Sequence, residues 1–263
     1  MAGECTLFLS AQMPDQTPLE DIIAEATRLL EAAVAAEVPV RLVGGLAVRL
    51  HVGAEPIITR VYKDIDLVTL KGRSKQVSEF MAGMGYEADR VFNTTNGHRR
   101  LLYYDPPHGR QVDVFVGAFE MCHSIPITQR IELHPSAIPL AELLLTKMQI
   151  VQLNEKDQFD ILTMLYHHDV TESDDSGDTV NAGRVAELCA ADWGLWRTTR
   201  MNVERTRDAL ASSPLTADQQ AIVRDRVDRL WERIESQPKS AKWKLRNRVG
   251  DKVRWYEEPE EVD

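Results

Sequence analysis

Between Pro18 and Val38 apolar residues recur at helical spacing in a stretch rich in Ala, Leu and Glu, which predicts a first helix. "PVRLVG" (39–44) then reads as a short strand running into Gly44–Gly45, and "LAVRLHV" (46–52) returns to a helical period. "DIDLVTL" (64–70) reads as a strand, and "SKQVSEFMAGMG" (74–85) as a helix stopped by Gly85. Two strands, 98–105 and 110–117, flank the turn-forming "PPHG". "RIELH" (130–134) predicts another strand. From 139 to 168 the pattern is strongly helical, with a break near Asn154 that divides it in two. The polar, acidic stretch 169–183 is the best boundary. Beyond it the chain reads as helices and holds all five tryptophans. The expected organisation is α/β in the α+β sense: a mixed region over 1–168, opened by a helix, and then a helical region over 184–263.

Composition narrows the classes. The chain has 263 residues, 43% hydrophobic and 27% charged, enough for a substantial core in one or two domains. No apolar run approaches the ~20 residues of a membrane helix. Glu4 stands where a signal peptide would carry Lys or Arg. Cys5, Cys122 and Cys189 form no CxxC and no disulfide framework. The expectation is a cytoplasmic protein without a membrane partner. A net charge of −10 argues against non-specific coating of nucleic acid. One local exception is "KSAKWKLRNRVGDKVR" (239–254), with seven Lys or Arg against one Asp, followed by the acidic "EEPEEVD".

Candidate chemistry starts with the carboxylates. Side chains alternate along a strand, so Asp64 and Asp66 share a face of "DIDLV". Two like charges that close raise each other's pKa and cost stability. A divalent metal removes the conflict, since Mg²⁺ commonly uses one or two carboxylates together with phosphate oxygens. In "QVDVFVG", Val112, Val114 and Val116 form one face and Asp113 lies on the other, a lone acid on a central-looking strand. Three converging carboxylates around metal ions make a phosphoryl-transfer site, in which one acid can also take the proton of an attacking hydroxyl. Gly44–Gly45 stands between a strand and a helix, where backbone N–H groups can meet a phosphate. Neither GxxxxGK[ST] nor GxGxxG is present. Lys147 lies on the apolar stripe of Leu143, Ile150 and Val151, so it either snorkels to solvent or meets an anion.

"GGLAVRLH", "KDIDLV" and "VDVFV" in this order resemble the polymerase-β-like nucleotidyltransferase superfamily. The gap between Gly45 and Asp64, and the stretch Arg60-Val61-Tyr62-Lys63-Asp64-Ile65-Asp66-Leu67, are similar to the R-x-T-x-D-I-D-L pattern of its abortive-infection and drug-modifying members. Tyr62 departs from that pattern, standing where a small hydroxyl residue is usual. Lys147 followed by Lys156, Asp157 and Asp160 resembles the AbiEii-type toxins more than the aminoglycoside-modifying enzymes. The resemblance covers roughly 38–164. It implies a small mixed sheet flanked by helices, and transfer of a nucleoside monophosphate from an NTP with Mg²⁺. Asp64, Asp66 and Asp113 would hold the metal, with Asp113 also the base. Gly44, Gly45, Arg60 and Lys147 would bind the nucleotide, and Asp157 would pair with or orient Lys147. Lys156 and Asp160 would form at most a surface ion pair. The acceptor would be an RNA, such as a tRNA 3′ end, or a protein hydroxyl, with an antitoxin as a further partner.

Other classes stay open. A small-molecule nucleotidyltransferase and a non-catalytic nucleotide-binding module fit the same motifs. "DIDLV" also fits the nucleophile motif of haloacid-dehalogenase-like phosphatases, but Arg60 and Lys63 interrupt the strand expected before it. "YHHD" (166–169) contains a His-Asp pair like that of HD-type phosphohydrolases, at a place where a helix end also favours His. The remaining histidines read as structural or surface. In the tail, Trp interleaved with Lys and Arg suits either RNA stacking or an amphipathic helix packed on the core. Arg99–Arg100 is a further pair able to meet phosphate.

Overall fold

The computed structural model describes residues 17–174 and 178–258. The apolar N-terminal patch, residues 175–177 of the boundary stretch and the last acidic residues from 259 lie outside the described residues.

Helix α1 (Ile22–Ala35) opens on Asp21, whose carboxylate accepts the Ala24 N–H, and buries Ala26, Leu29, Leu30 and Ala33. Strand β1 (Val40–Val43) leads directly into α2 (Gly44–Val52). An irregular segment, 53–64, precedes β2 (Ile65–Thr69). Helix α3 (Ser74–Gly83) stops just short of the expected Gly85, whose φ of +87° carries the chain into β3 (Glu87–Ala88). A short α4 (Arg90–Asn96), capped by Asp89, precedes β4 (Arg100–Asp105) and β5 (Arg110–Val116). Strands β6 (Ala118–Glu120) and β7 (Ser124–Pro126) form a small hairpin.

The strand expected over 130–134 is instead a 3₁₀ turn, Thr128–Leu133. Only Ile131 of this turn is buried, so the segment has no apolar face to pair in a sheet. Helices α5 (Leu140–Met148) and α6 (Glu155–His167) divide as expected at Asn154, whose side chain caps α6 by accepting the Asp157 N–H. Two short parallel strands, β8 (Asp169–Thr171) and β9 (Thr179–Asn181), then bracket the acidic stretch. The chain ends in α7 (Ala182–Ala191), α8 (Trp193–Leu210), α9 (Ala217–Ser236) and α10 (Ala241–Val249).

The architecture is a mixed sheet flanked by helices, as expected. The main sheet runs β1-β2-β5-β4-β3. β2 and β5 are parallel, and the other neighbours are antiparallel. Asp66 and Asp113 are direct register partners across β2 and β5. One apolar core extends from the sheet into the C-terminal helices, with α5 packed against β9, α7 and α8. Charge reinforces this junction. The fully buried Glu142 of α5 meets Arg130 at 2.7 Å and Arg184 of α7 at 3.0 Å. Burial raises the Glu142 pKa, and the two arginines oppose that rise. Arg130 also holds Asp174, which accepts from Asn181.

Three of the tryptophans, Trp193, Trp196 and Trp243, are buried. Their indole N–H groups donate to Asn247, Glu235 and the Cys189 carbonyl. In the tail helix α10 only Trp243 is buried, while Leu245 and Val249 are exposed.

Candidate active site

The turn from β1 into α2 puts Gly44 and Gly45 at one edge of the sheet. Gly44 has φ +70°, and a Cβ there would collide with the Asp66 carboxylate. A Cβ on Gly45 would collide with the Arg60 guanidinium. Gly44 is therefore required by its backbone conformation and by Asp66, whereas the neighbour at Gly45 is the far end of a long side chain. No side chain caps the start of α2.

Gly44, Gly45, Arg60, Asp64, Asp66, Asp113, Lys147 and Asp157 line one cavity of about 370 Å³. Residues far apart in sequence meet there because β2 and β5 are neighbours while α5 and α6 flank α2. Asp64 is exposed, Asp66 partly buried and Asp113 buried. Among the described residues, neither Asp64 nor Asp66 has a side-chain hydrogen bond or ion pair. Burial, then the charges of Asp64 and Asp113, push the Asp66 carboxyl up to about 8, against the opposing pull of Lys147 and Arg100. Asp113 is held on both oxygens: Arg100 Nε donates to Oδ1 at 2.7 Å and Gln111 Nε2 to Oδ2 at 2.7 Å. Arg100 also lies over the rings of Phe92 and Phe115.

Lys147 of α5 and Arg60 of the irregular segment 53–64 add basic side chains to the cavity, beside Lys63, Arg100 and Lys156. Lys147 Nζ lies 2.7 Å from Asp157 Oδ1 and 3.0 Å from Asp160 Oδ2. Burial alone would lower the Lys147 pKa, but the carboxylates of Asp160 and Asp157 outweigh it and leave the pKa raised. Arg60 makes a two-pronged pair with Asp160, at 2.8 and 3.0 Å, and its guanidinium lies 4.6 Å from the Tyr62 ring centre. The pairing of Asp157 with Lys147 agrees with the sequence reading. A surface pair of Lys156 with Asp160 does not form: Asp160 is 3% exposed and turned inward to Arg60 and Lys147, while Lys156 is exposed.

Three participants escaped the sequence reading. In the sequence Arg100 reads only as a phosphate contact, and Gln111 carries no signal of its own. Strand register gives them away: Leu102 pairs with Asp113, which places Arg100 and Gln111 on the Asp113 side of the sheet. Asp160, four residues after Lys156, reads in the sequence as half of a surface ion pair. Its position, three residues after Asp157 in a helix, was the available signal.

The competing motifs do not assemble. His167 accepts the Ile57 N–H, His168 pairs with Asp178, and Asp169 pairs with Arg229, so no His-Asp dyad forms in "YHHD". His123 bonds Thr198, His134 accepts from Ser136 and Ala137, and His108 lies against Asp105, all structural roles.

Among the described residues, no three His, Cys, Asp or Glu side chains are grouped at metal-holding distance. Asp64 and Asp66 nonetheless fit a hard cation by chemistry: two unpaired carboxylates lining one cavity, Asp64 just before β2 and Asp66 within it, with the proton affinity of Asp66 raised by burial and by like charge. Asp113 retains spare lone pairs beside its two donors.

No protein-family model matches the chain, and no curated protein matches it. A solved structure similar to it is an antigenic nucleotidyltransferase-like protein from Paracoccidioides brasiliensis. The two are 15% identical over 70% of this chain and 94% of that one, with a TM-score of 0.37. No described helix is long and apolar enough to cross a membrane.

Proposed function

We infer that the protein is a Mg²⁺-dependent nucleotidyltransferase, moving a nucleoside monophosphate from an NTP to an acceptor hydroxyl. One observation carries the reading: Asp64, Asp66 and Asp113 line the same cavity as Lys147, Arg60 and the uncapped start of α2. That cavity joins the unpaired carboxylates of Asp64 and Asp66 to basic side chains and a helix start that no side chain caps, the two halves needed by a metal–triphosphate pair.

Asp64 and Asp66 would hold the cation, with Asp113 beside them. A bound Mg²⁺ supplies charge neutralisation at the phosphate undergoing transfer. Lys147 and Arg60 bind the outer phosphates, and the α2 N–H groups orient them. Asp113 accepts the proton of the acceptor hydroxyl, while Arg100 and Gln111 fix the direction of its carboxylate. Asp157 orients Lys147. The AbiEii-type likeness of the Lys147–Asp160 stretch favours an RNA or protein hydroxyl over a small drug, and a toxin controlled by an antitoxin.

The test is incubation with each labelled NTP, Mg²⁺ and separate pools of tRNA, protein extract and aminoglycosides, beside an Asp64→Ala, Asp66→Ala control. Label in the tRNA or protein pool, lost in the control, is the expected outcome. Label in the drug pool alone would move the acceptor to a small molecule. NTP binding with no transfer would make the chain a binding module.

A further inference from the structure

Two of the basic side chains that line the cavity, Arg60 and Lys147, are already paired with carboxylates of the protein. Arg60 and Lys147 share Asp160, and Lys147 also holds Asp157, so the four charges cancel. A triphosphate approaching Gly45 meets a neutral cluster, with a guanidinium standing in the space above the glycine. The pairs differ in how readily they part. Lys147 projects from α5, whose residues are all buried. Arg60 lies on the irregular segment 53–64, outside any helix or strand. Asp160 is 3% exposed and needs one cation, but Lys147 suffices for that. Asp157 sits in the first turn of α6, whose N-terminus helps stabilise its charge.

We propose that Arg60 is a mobile phosphate clamp: Asp160 parks it over Gly45, and it transfers to the phosphates of an incoming ligand while Lys147 remains as the counter-ion of Asp160. Tyr62, the position that departs from the family pattern, is the platform on which the parked guanidinium lies. Asp160 is then a positioning residue that competes with the ligand for Arg60. The inference rests on the nucleotide reading above.

The clamp is tested by calorimetric titration with inorganic tripolyphosphate and Mg²⁺, and with NTPs. The proteins are wild type, Arg60→Gln, Asp160→Asn, Tyr62→Leu and the double variant Arg60→Gln, Asp160→Asn. Asp160→Asn is expected to tighten tripolyphosphate binding about tenfold, and Arg60→Gln to weaken it by a similar factor. In the Arg60→Gln background the gain from Asp160→Asn disappears, a coupling that a merely structural Asp160 would not produce. Tyr62→Leu, which lies on the irregular segment, is expected to tighten binding about threefold. It decides the question if Asp160→Asn fails to fold by near-ultraviolet circular dichroism. Unchanged or weaker binding in Asp160→Asn, or a gain that persists without Arg60, overturns the clamp and leaves the nucleotide reading standing. Wild-type protein that binds neither tripolyphosphate nor any NTP overturns both.

Discussion

Asp66 carries the most conflict of any single residue. Its folded pKa is raised to about 8 from an ordinary carboxyl value, by burial and by the neighbouring charges of Asp64 and Asp113. The folded state therefore holds a proton that the unfolded state releases. Stability attached to this proton is full below the unfolded carboxyl range and is lost as pH rises towards 8. Asp66→Asn is expected to stabilise the metal-free protein at pH 8 by on the order of 1 kcal/mol, read as a denaturant midpoint. The same substitution is expected to lower transfer activity at least about 100-fold. A destabilised Asp66→Asn at pH 8 would mean that the acid is not under like-charge strain. At Lys147 the balance is reversed. Lys147→Met leaves Asp157 without its cation and Asp160 with Arg60 alone, and is expected to cost about 3 kcal/mol by urea unfolding.

At the scale of elements, the site depends on neighbours that are not adjacent in sequence. The period-2 pattern of "DIDLV" and "VDVFV" identified both strands, and the glycine pair located the start of a helix. Their parallel pairing was not legible, because a crossover connection leaves no local mark, unlike the hairpin joining β4 to β5. The strand expected at 130–134 failed for a related reason: five residues of mixed polarity carry little periodic signal. β8 and β9 were hidden inside an acidic stretch, and their anchoring depends on Arg130, Glu142 and Arg184 meeting in three dimensions. That junction is testable. Glu142→Ala leaves two arginines without their buried carboxylate, and a loss of about 3 kcal/mol is expected in thermal or urea denaturation. A loss under about 0.5 kcal/mol, the range of an ordinary surface substitution, would show that the junction is held by apolar packing alone.

For the whole molecule, the described core joins the sheet to the helices that follow, so the α5 wall of the cavity rests on α7 and α8. The opposite pH limit is set by histidines. Burial lowers the pKa values of His51, His123, His134, His167 and His168, that of His51 to about 4. The rings of His134 and His168 lie 4.6 and 6.1 Å from that of His51. Groups whose folded pKa is depressed stay neutral in the native state while the unfolded chain takes up protons. Their contribution is full above the ordinary histidine value of 6.5 and is lost as pH falls towards 4. Urea midpoints at pH 7 and pH 5 are expected to show the fall, and His51→Gln to reduce it. A midpoint unchanged between the two would contradict the burial argument.

The central claim is transfer of a nucleoside monophosphate. It is tested most directly by offering the protein Mg²⁺, the acceptor pools and one NTP labelled either on the α- or on the γ-phosphate. The account requires the α-label to appear on the acceptor with release of pyrophosphate, and this to vanish in Asp64→Ala, Asp66→Ala. Transfer of the γ-label instead, or transfer that survives loss of both aspartates, would contradict it.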